Sequence, residues 1–233
     1  MANLLKRFYV NDERKFWINS SAFFLILFLC VSGLSLGRHE ALLSSAYDLG
    51  IFNQAMWLIT NGQEPFSTFI QHHILADHAS FVLYIIALPY ALWQTPEALL
   101  VLQAAIVSSA IFPLALLCRD AGLLNSQIAL VMLAYCLFPP VINISLFDFH
   151  PDILVLPLLF LMLLGHARNN IWVFLISALC ICASKEVFGL SILAYGLACV
   201  IAHRDFKYGL LAIAMGASWF MFATRWVIPY FSG

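Results

Sequence analysis

From Trp17 to Leu36 the chain carries no charged side chain, and the basic residues Lys6, Arg7, Arg14 and Lys15 precede this run. About 20 apolar residues are what a helix needs to cross the hydrocarbon of a bilayer. Lipid offers no partner for backbone amides, so such a run must fold as a helix. It is too long for a typical signal-peptide core and reads as a retained anchor. Leu29 stands before Cys30, where a lipoprotein processing site would want a small residue, so no cleavage is expected.

Six further apolar segments follow: Ala98 to Cys118, Ser126 to Ile144, Ile153 to Gly165, Ile171 to Ser184, Val187 to Ala202 and Tyr208 to Ile228. Several fall short of the about 20 residues a perpendicular helix needs. The chain of 233 residues is 63% hydrophobic and 10% charged, whereas soluble domains carry roughly a quarter charged residues. This is the composition of an integral membrane protein. A formal net charge of −1 without a basic tract argues against nucleic acid as a partner. The six cysteines lie in or at the ends of apolar runs and read as small apolar helix residues. Cys180 and Cys182, two apart, point in different directions on a helix, which argues against a metal pair.

Ser80 to Trp93 decides the topology. It is apolar but, at about 14 residues, in the range of a re-entrant or interfacial helix. If it lies at the outer surface, the cytoplasmic side holds Lys6, Arg7, Arg14, Lys15, Arg119, Arg168, Arg204 and Lys207, and only Arg38, Lys185 and Arg225 stay outside. If it spans, the two sides carry nearly equal positive charge. The positive-inside rule therefore favours about seven spans with the N-terminus cytoplasmic. The expected fold is all-α and polytopic, a single domain over residues 1–233. Its first external loop, 37–96, holds interfacial helices at 45–60 and 80–93. Asn61-Gly62 reads as the stop signal of the first of these, and Tyr47, Ile51, Phe52, Trp57 and Leu58 suit a helix lying in the interface.

That topology gathers the polar islands of the chain on the outer face. Asp48 follows Ser45 by three, a capping-box spacing in which the acid serves the helix start; the same carboxylate can also act as a base. His72, His73, Asp77 and His78 offer nitrogen and oxygen donors, with His73 and Asp77 on one helix face, although loop histidines near an interface also occur without metal. Asp148, His150 and Asp152 alternate, so in an extended segment they share one side, an arrangement suited to a hard divalent cation. Pro151 opens the next helix and leaves Asp152 in its first turn, a structural role that Asp148 and His150 lack. Lys185-Glu186 reads either as a neutralising pair at a hairpin tip or as a phosphate or substrate contact. Arg225, near the outer end of the last span, either snorkels to headgroups or supplies a cation.

The order Tyr47-Asp48-Leu49-Gly50-Ile51-Phe52-Asn53-Gln54, then His78, then Leu146-Phe147-Asp148-Phe149-His150-Pro151, then Lys185-Glu186, resembles a bacterial family of predicted membrane proteins of unknown function. That family is itself similar to a distant branch of the GT-C membrane glycosyltransferases. The resemblance covers most of the chain from Ser44 onward and implies a GT-C-like fold with juxtamembrane helices after the first span. It implies an enzyme of the bacterial plasma (inner) membrane, with its active face external. Such an enzyme takes a sugar from a polyprenyl-phosphate carrier and passes it to an external acceptor, usually with inversion. It places Asp48 at the reaction centre and Asp148 in a second acidic motif.

On this reading Asp48 is the general base. Tyr47, Asn53, Gln54, His78, Lys185, Glu186 and Arg225 contact substrate, and Asp148, His150 and Asp152 are candidate ligands of a divalent metal, Mg or Mn. Relatives are usually longer with more spans, so the chain is expected to be the N-terminal part of a longer protein or a short version with a partner subunit. Two other readings belong to different classes. A proton-coupled transporter would also use buried Asp, Glu, His and Lys, but places them near the midplane between repeated halves. A non-catalytic subunit would cover Asp48 and Asp148 with partner protein.

Overall fold

The computed structural model describes the backbone from Ala2 to Gly233 and the side chains from Asp12 onward, so Lys6 and Arg7 lie outside the described side chains. Helix α1 (Ala2–Glu40) leads into a turn and then α2 (Asp48–Thr60). A two-residue hairpin follows, β1 (Phe66–Ser67) antiparallel to β2 (His72–His73), then the short α3 (Ile74–Asp77) and α4 (Val82–Tyr90). The rest is helical: α5 (Pro96–Ser109), α6 (Ile111–Asp120), α7 (Asn125–Leu137), α8 (Pro139–Leu146), α9 (Val155–Ala167), α10 (Ile171–Cys182), α11 (Phe188–His203), α12 (Phe206–Phe222) and α13 (Ile228–Ser232). A tight 3-10 turn at Pro151–Leu154 precedes α9, and a π-helical stretch at Ala223–Val227 joins α12 to α13.

Local sequence explains most of the breaks. Pro96 opens α5 and Pro139-Pro140 opens α8, where a fixed φ suits a first helical turn and the missing N–H is not needed. The proline pair also bends α8 by 49° from α7. Asn170 and Asp205 cap α10 and α12 by accepting from the backbone N–H of Val173 and Tyr208. Gly62, just past α2, adopts φ +67°, as the Asn61-Gly62 stop signal requires.

Contacts between distant residues show which helix ends lie together. At one end His39 Nε2 sits 3.6 Å from Glu97, Lys185 Nζ 3.7 Å from Asp152, and the His73 ring stacks 4.1 Å from Phe231. At the other, Asn125 Nδ2 donates to Asp12 at 2.6 Å, Arg168 Nε to Asp120 at 2.5 Å, and His166 Nε2 meets Asp205 at 2.6 Å. Among the described residues, α1, α5–α6, α7–α8, α9, α10, α11 and α12–α13 are the segments that link these two ends. Helices α2 to α4 stay at the first end. Val82 N–H donates to Ala183 O at 3.2 Å and Ser80 Oγ to Ser184 O at 2.8 Å, which lays the start of α4 across the tip of α10.

Among the described residues three helices are long and apolar enough to cross a membrane, Asp12–Glu40, Pro96–Asp120 and Phe206–Ser232, or four if the bent α7–α8 pair is one span. Pro151–Ala167, Ile171–Cys182 and Phe188–His203 are apolar but shorter. The 12 residues of α10 extend about 18 Å, against about 30 Å of hydrocarbon. The expectation of about seven spans therefore meets three or four that satisfy the length requirement.

The interfacial helices differ from expectation in detail. Helix α2 begins at Asp48 rather than residue 45 and buries Ile51 and Phe52 in the protein, leaving Tyr47 and Trp57 exposed. Its apolar face packs on α4 rather than lying free in the interface. It is α4, shorter than the expected 80–93, that exposes Tyr84, Ile85 and Leu88. Glycines set the closest helix pair: Gly189 faces Gly216 and Gly196 faces Gly209 across α11 and α12. A Cβ on Gly196 would lie 2.6 Å from the Gly209 carbonyl oxygen. Backbones approach this closely only where side chains are absent.

Candidate functional site

At the end of the bundle that carries α2 to α4, a cavity of about 230 Å³ opens between the first turn of α2, the α3–α4 segment, the loop before α9 and the tip between α10 and α11. Its polar lining is Tyr47, Asp48, Asp77, His78, His150, Asp152 and Lys185, and Ile51, Phe52, Ile70 and Pro151 form its apolar walls. Four separate stretches of sequence thus bring ionisable groups into one space.

Asp48 is the first residue of α2, and its N–H donates to Ser45 Oγ at 3.2 Å. This is half of the capping box that the sequence suggests. The other half is different: the Ser45 N–H goes to Asp148 Oδ2 at 2.5 Å, not to Asp48. Among the described residues the Asp48 carboxylate makes no hydrogen bond, and it lines the cavity half-buried. Asp148 is only 3% exposed, and its Oδ1 is buried without a partner.

His150 lines the cavity with its ring between Phe52 and Phe147, centroids 5.1 and 5.3 Å away. Its Nδ1–H donates to the Asp148 carbonyl at 2.9 Å, which leaves Nε2 as the lone-pair nitrogen of the neutral ring. Its backbone N–H donates to Gln103 Oε1 at 3.2 Å, and Gln103 Nε2 donates to the Phe147 carbonyl at 2.7 Å. Gln103, 1% exposed in α5, therefore holds the whole His150 loop. Its signal in the sequence is a solitary amide in an apolar run, which needs buried partners.

Lys185 Nζ lies 3.7 Å from Asp152 Oδ2 inside the cavity. Asp152 falls in the first turn opened by Pro151, as expected. Behind the lining, Glu186 Oε1 is 3.1 Å from His78 Nδ1 and Oε2 accepts the Ala79 N–H at 3.3 Å, while His78 Nε2 is 3.9 Å from Asp77. Burial works to raise the Glu186 pKa, but the His78 and backbone hydrogen bonds outweigh it and hold the carboxyl below its usual range.

Other expected substrate contacts sit elsewhere. Asn53 Oδ1 accepts from Tyr90 OH at 2.7 Å, tying α2 to α4, and Gln54 Oε1 accepts from the Thr68 N–H at 3.0 Å, tying α2 to the hairpin. Arg225 is exposed on the π-helical stretch and does not line the cavity. His73 caps α3 by accepting from Leu75 N–H at 3.0 Å and does not line the cavity either.

The donors considered for a divalent cation, Asp148, His150 and Asp152, do not converge. His150 and Asp152 face the cavity while the Asp148 carboxylate turns to Ser45. Among the described residues no three His, Cys, Asp or Glu side chains are placed to hold a metal ion. Of the three candidate donors, His150 and Asp152 are the side chains that line the cavity.

What the arrangement offers is an ionisable carboxylate, an imidazole lone pair and a lysine ammonium around a space the size of a small polar molecule. No curated protein and no solved structure matches the chain. Residues 38–233 match a family model described as predicted membrane protein, DUF2079, a stretch that contains every cavity-lining residue. The chain belongs to this family of predicted membrane proteins of unknown function.

Proposed function

We propose that the protein is a GT-C-like glycosyltransferase that moves a sugar from a polyprenyl-phosphate carrier to an external acceptor. The observation that carries this reading is the free Asp48 carboxylate, facing a cavity that also holds His150 and the Lys185–Asp152 pair. Asp48 takes the proton of the acceptor hydroxyl as its oxygen attacks the anomeric carbon. The bond from that carbon to the phosphate oxygen breaks, and the electron pair leaves with the lipid phosphate. Lys185, released from Asp152 by the more highly charged phosphate, stabilises the leaving group in a site shielded from bulk water. His150 Nε2 and Tyr47 supply hydrogen bonds to sugar hydroxyls. The cavity, at about 230 Å³, is below the roughly 300–1,000 Å³ of drug-sized pockets, which suits one sugar ring with the lipid chain outside it.

The membrane arrangement completing this reading is seven crossings in the bacterial plasma (inner) membrane, with the N-terminus cytoplasmic. The end of the bundle remote from the cavity carries Arg14, Lys15, Arg119, Arg168, Arg204 and Lys207, whereas the cavity end carries Arg38, Lys185 and Arg225. This asymmetry favours an external cavity. A carrier would gather its titratable groups near mid-depth; here the ionisable groups of the cavity lie at one end of the bundle and the His166–Asp205 and Arg168–Asp120 pairs at the other, which favours transfer over transport.

Two experiments test the reading. Asp48→Asn should abolish sugar transfer from a polyprenyl-phosphate-linked donor in membranes while the protein remains folded, and full activity in this variant overturns the assignment. Cysteines placed at residue 120 and near residue 150 should be closed and open, respectively, to an impermeant thiol reagent added from outside. The reverse pattern overturns the orientation.

A further inference from the structure

The Ser45 N–H, the donor that a capping box would give to Asp48, is held by Asp148. A capping box gives the N–H of its serine to the acid three residues on. In this chain the serine hydroxyl does its part, accepting from the Asp48 N–H at 3.2 Å, but the Ser45 N–H is donated at 2.5 Å to Asp148, 103 residues away. Asp148 is suited to hold that donor: it is 3% exposed, on a loop whose carbonyls are pinned by Gln103. Its neighbour Phe149 is fully buried against Phe52 of α2, ring centroids 5.7 Å apart.

We infer that Asp148 is a positioning residue that keeps Asp48 out of its local capping hydrogen bond and so leaves the Asp48 carboxylate facing the cavity. An exposed helix start with a Ser-x-x-acid spacing closes on itself, because an orphan N–H and a nearby carboxylate are both better paired than hydrated. Here the stronger claim of a buried, preorganised carboxylate prevents that closure. The helix keeps its cap, and the acid in its first turn stays available. The role of the freed carboxylate as a base rests on the transferase reading above, but the competition for Ser45 does not.

The test uses the full chain in membranes and needs no substrate. Carboxyl groups are labelled with a water-soluble carbodiimide and glycinamide, and the extent at each acid is read by mass spectrometry. In Asp148→Ala the Asp48 carboxylate should turn to the Ser45 N–H, and its labelling should fall about fivefold, as a capping hydrogen bond is worth, while Asp77 and Asp152 label as before. Asp148→Asn, which keeps an acceptor oxygen, should restore Asp48 labelling. Hydrogen exchange supplies an independent reading: the Ser45 amide should be protected in the natural protein and in Asp148→Ala, and lose protection only when Asp48→Ala is added. A Ser45 amide that exchanges freely in the natural protein overturns the inference whether or not the variants fold. So does a folded Asp148→Ala whose Asp48 labels unchanged. Should the labelling fall as expected while no sugar transfer is found, the positioning role of Asp148 stands and the transferase reading alone falls.

Discussion

His78 Nδ1 lies 3.1 Å from Glu186 Oε1, a contact between loops 108 residues apart that joins the segment before α4 to the tip between α10 and α11. With the Ala79 N–H on the other oxygen, it closes the back of the cavity.

This contact predicts a pH dependence. The Glu186 carboxyl is held below its ordinary value of 4.5 in the folded protein. The unfolded chain therefore binds this proton more readily, and the stability Glu186 contributes is complete above that value and lost as the pH falls through the lower folded one. Glu186→Gln should cost about 1.5–3 kcal/mol at neutral pH, the worth of a hydrogen bond to a charged group. The gap from the natural protein in detergent melts should close as the pH drops below 4.5.

Gln103 makes the second prediction. Gln103→Leu strips the Phe147 carbonyl and the His150 N–H of their partner in a buried loop. It should destabilise by about 1–3 kcal/mol, and hydrogen exchange should rise over residues 144–150. Unchanged exchange there would mean that the loop is held by other contacts.

The glycine pairs of α11 and α12 make the third. Gly196→Ala puts a Cβ 2.6 Å from one backbone atom and 2.7 Å from another, so overpacking of about 1–3 kcal/mol exceeds the gain in helix propensity. Gly33→Ala, on α1 with nothing within 4 Å of its Cβ, should leave the melting temperature unchanged or higher. The difference between the two in detergent melts measures the packing alone.

The fourth concerns a network at the opposite end. His166 sits between Asp205 Oδ2, 2.6 Å from its Nε2, and Tyr195 OH, 2.5 Å from its Nδ1, and it stacks 4.3 Å from the Tyr208 ring. His166→Phe keeps the ring and removes both hydrogen bonds. Hydrogen exchange should increase at the α11–α12 turn, with no change in carboxyl labelling at the cavity. A change at the cavity would show that the two ends are coupled.

Local chemistry marks the helices and some of their ends. Pro151 starts an element and Asn61-Gly62 ends one, as the sequence predicts, because each acts on backbone within four residues of itself. The break at Pro139-Pro140 inside the apolar run 126–144, and the caps Asn170 and Asp205, are findings of the structure. The gathering of Asp48, His78, Asp152 and Lys185 at one end was legible too, because alternating apolar runs carry successive polar loops to alternate ends. The His166 network is not legible in the chain: a histidine at the end of α9 and an aspartate before α12 carry no periodic signal of their meeting.

The sequence by itself determined that this is a membrane protein, that it is mostly helical and which polar loops share an end. Hydrophobicity and backbone hydrogen bonding are enforced by lipid residue by residue, so composition and spacing suffice for these. Only the tertiary structure decided which acids face the cavity. The motif residues Asp48 and Asp148 look alike in the chain, yet one is open to the cavity and the other is spent on Ser45. That choice depends on a donor 103 positions away and on the buried loop that Gln103 anchors, and a hydrogen bond across such a distance leaves no trace in local spacing.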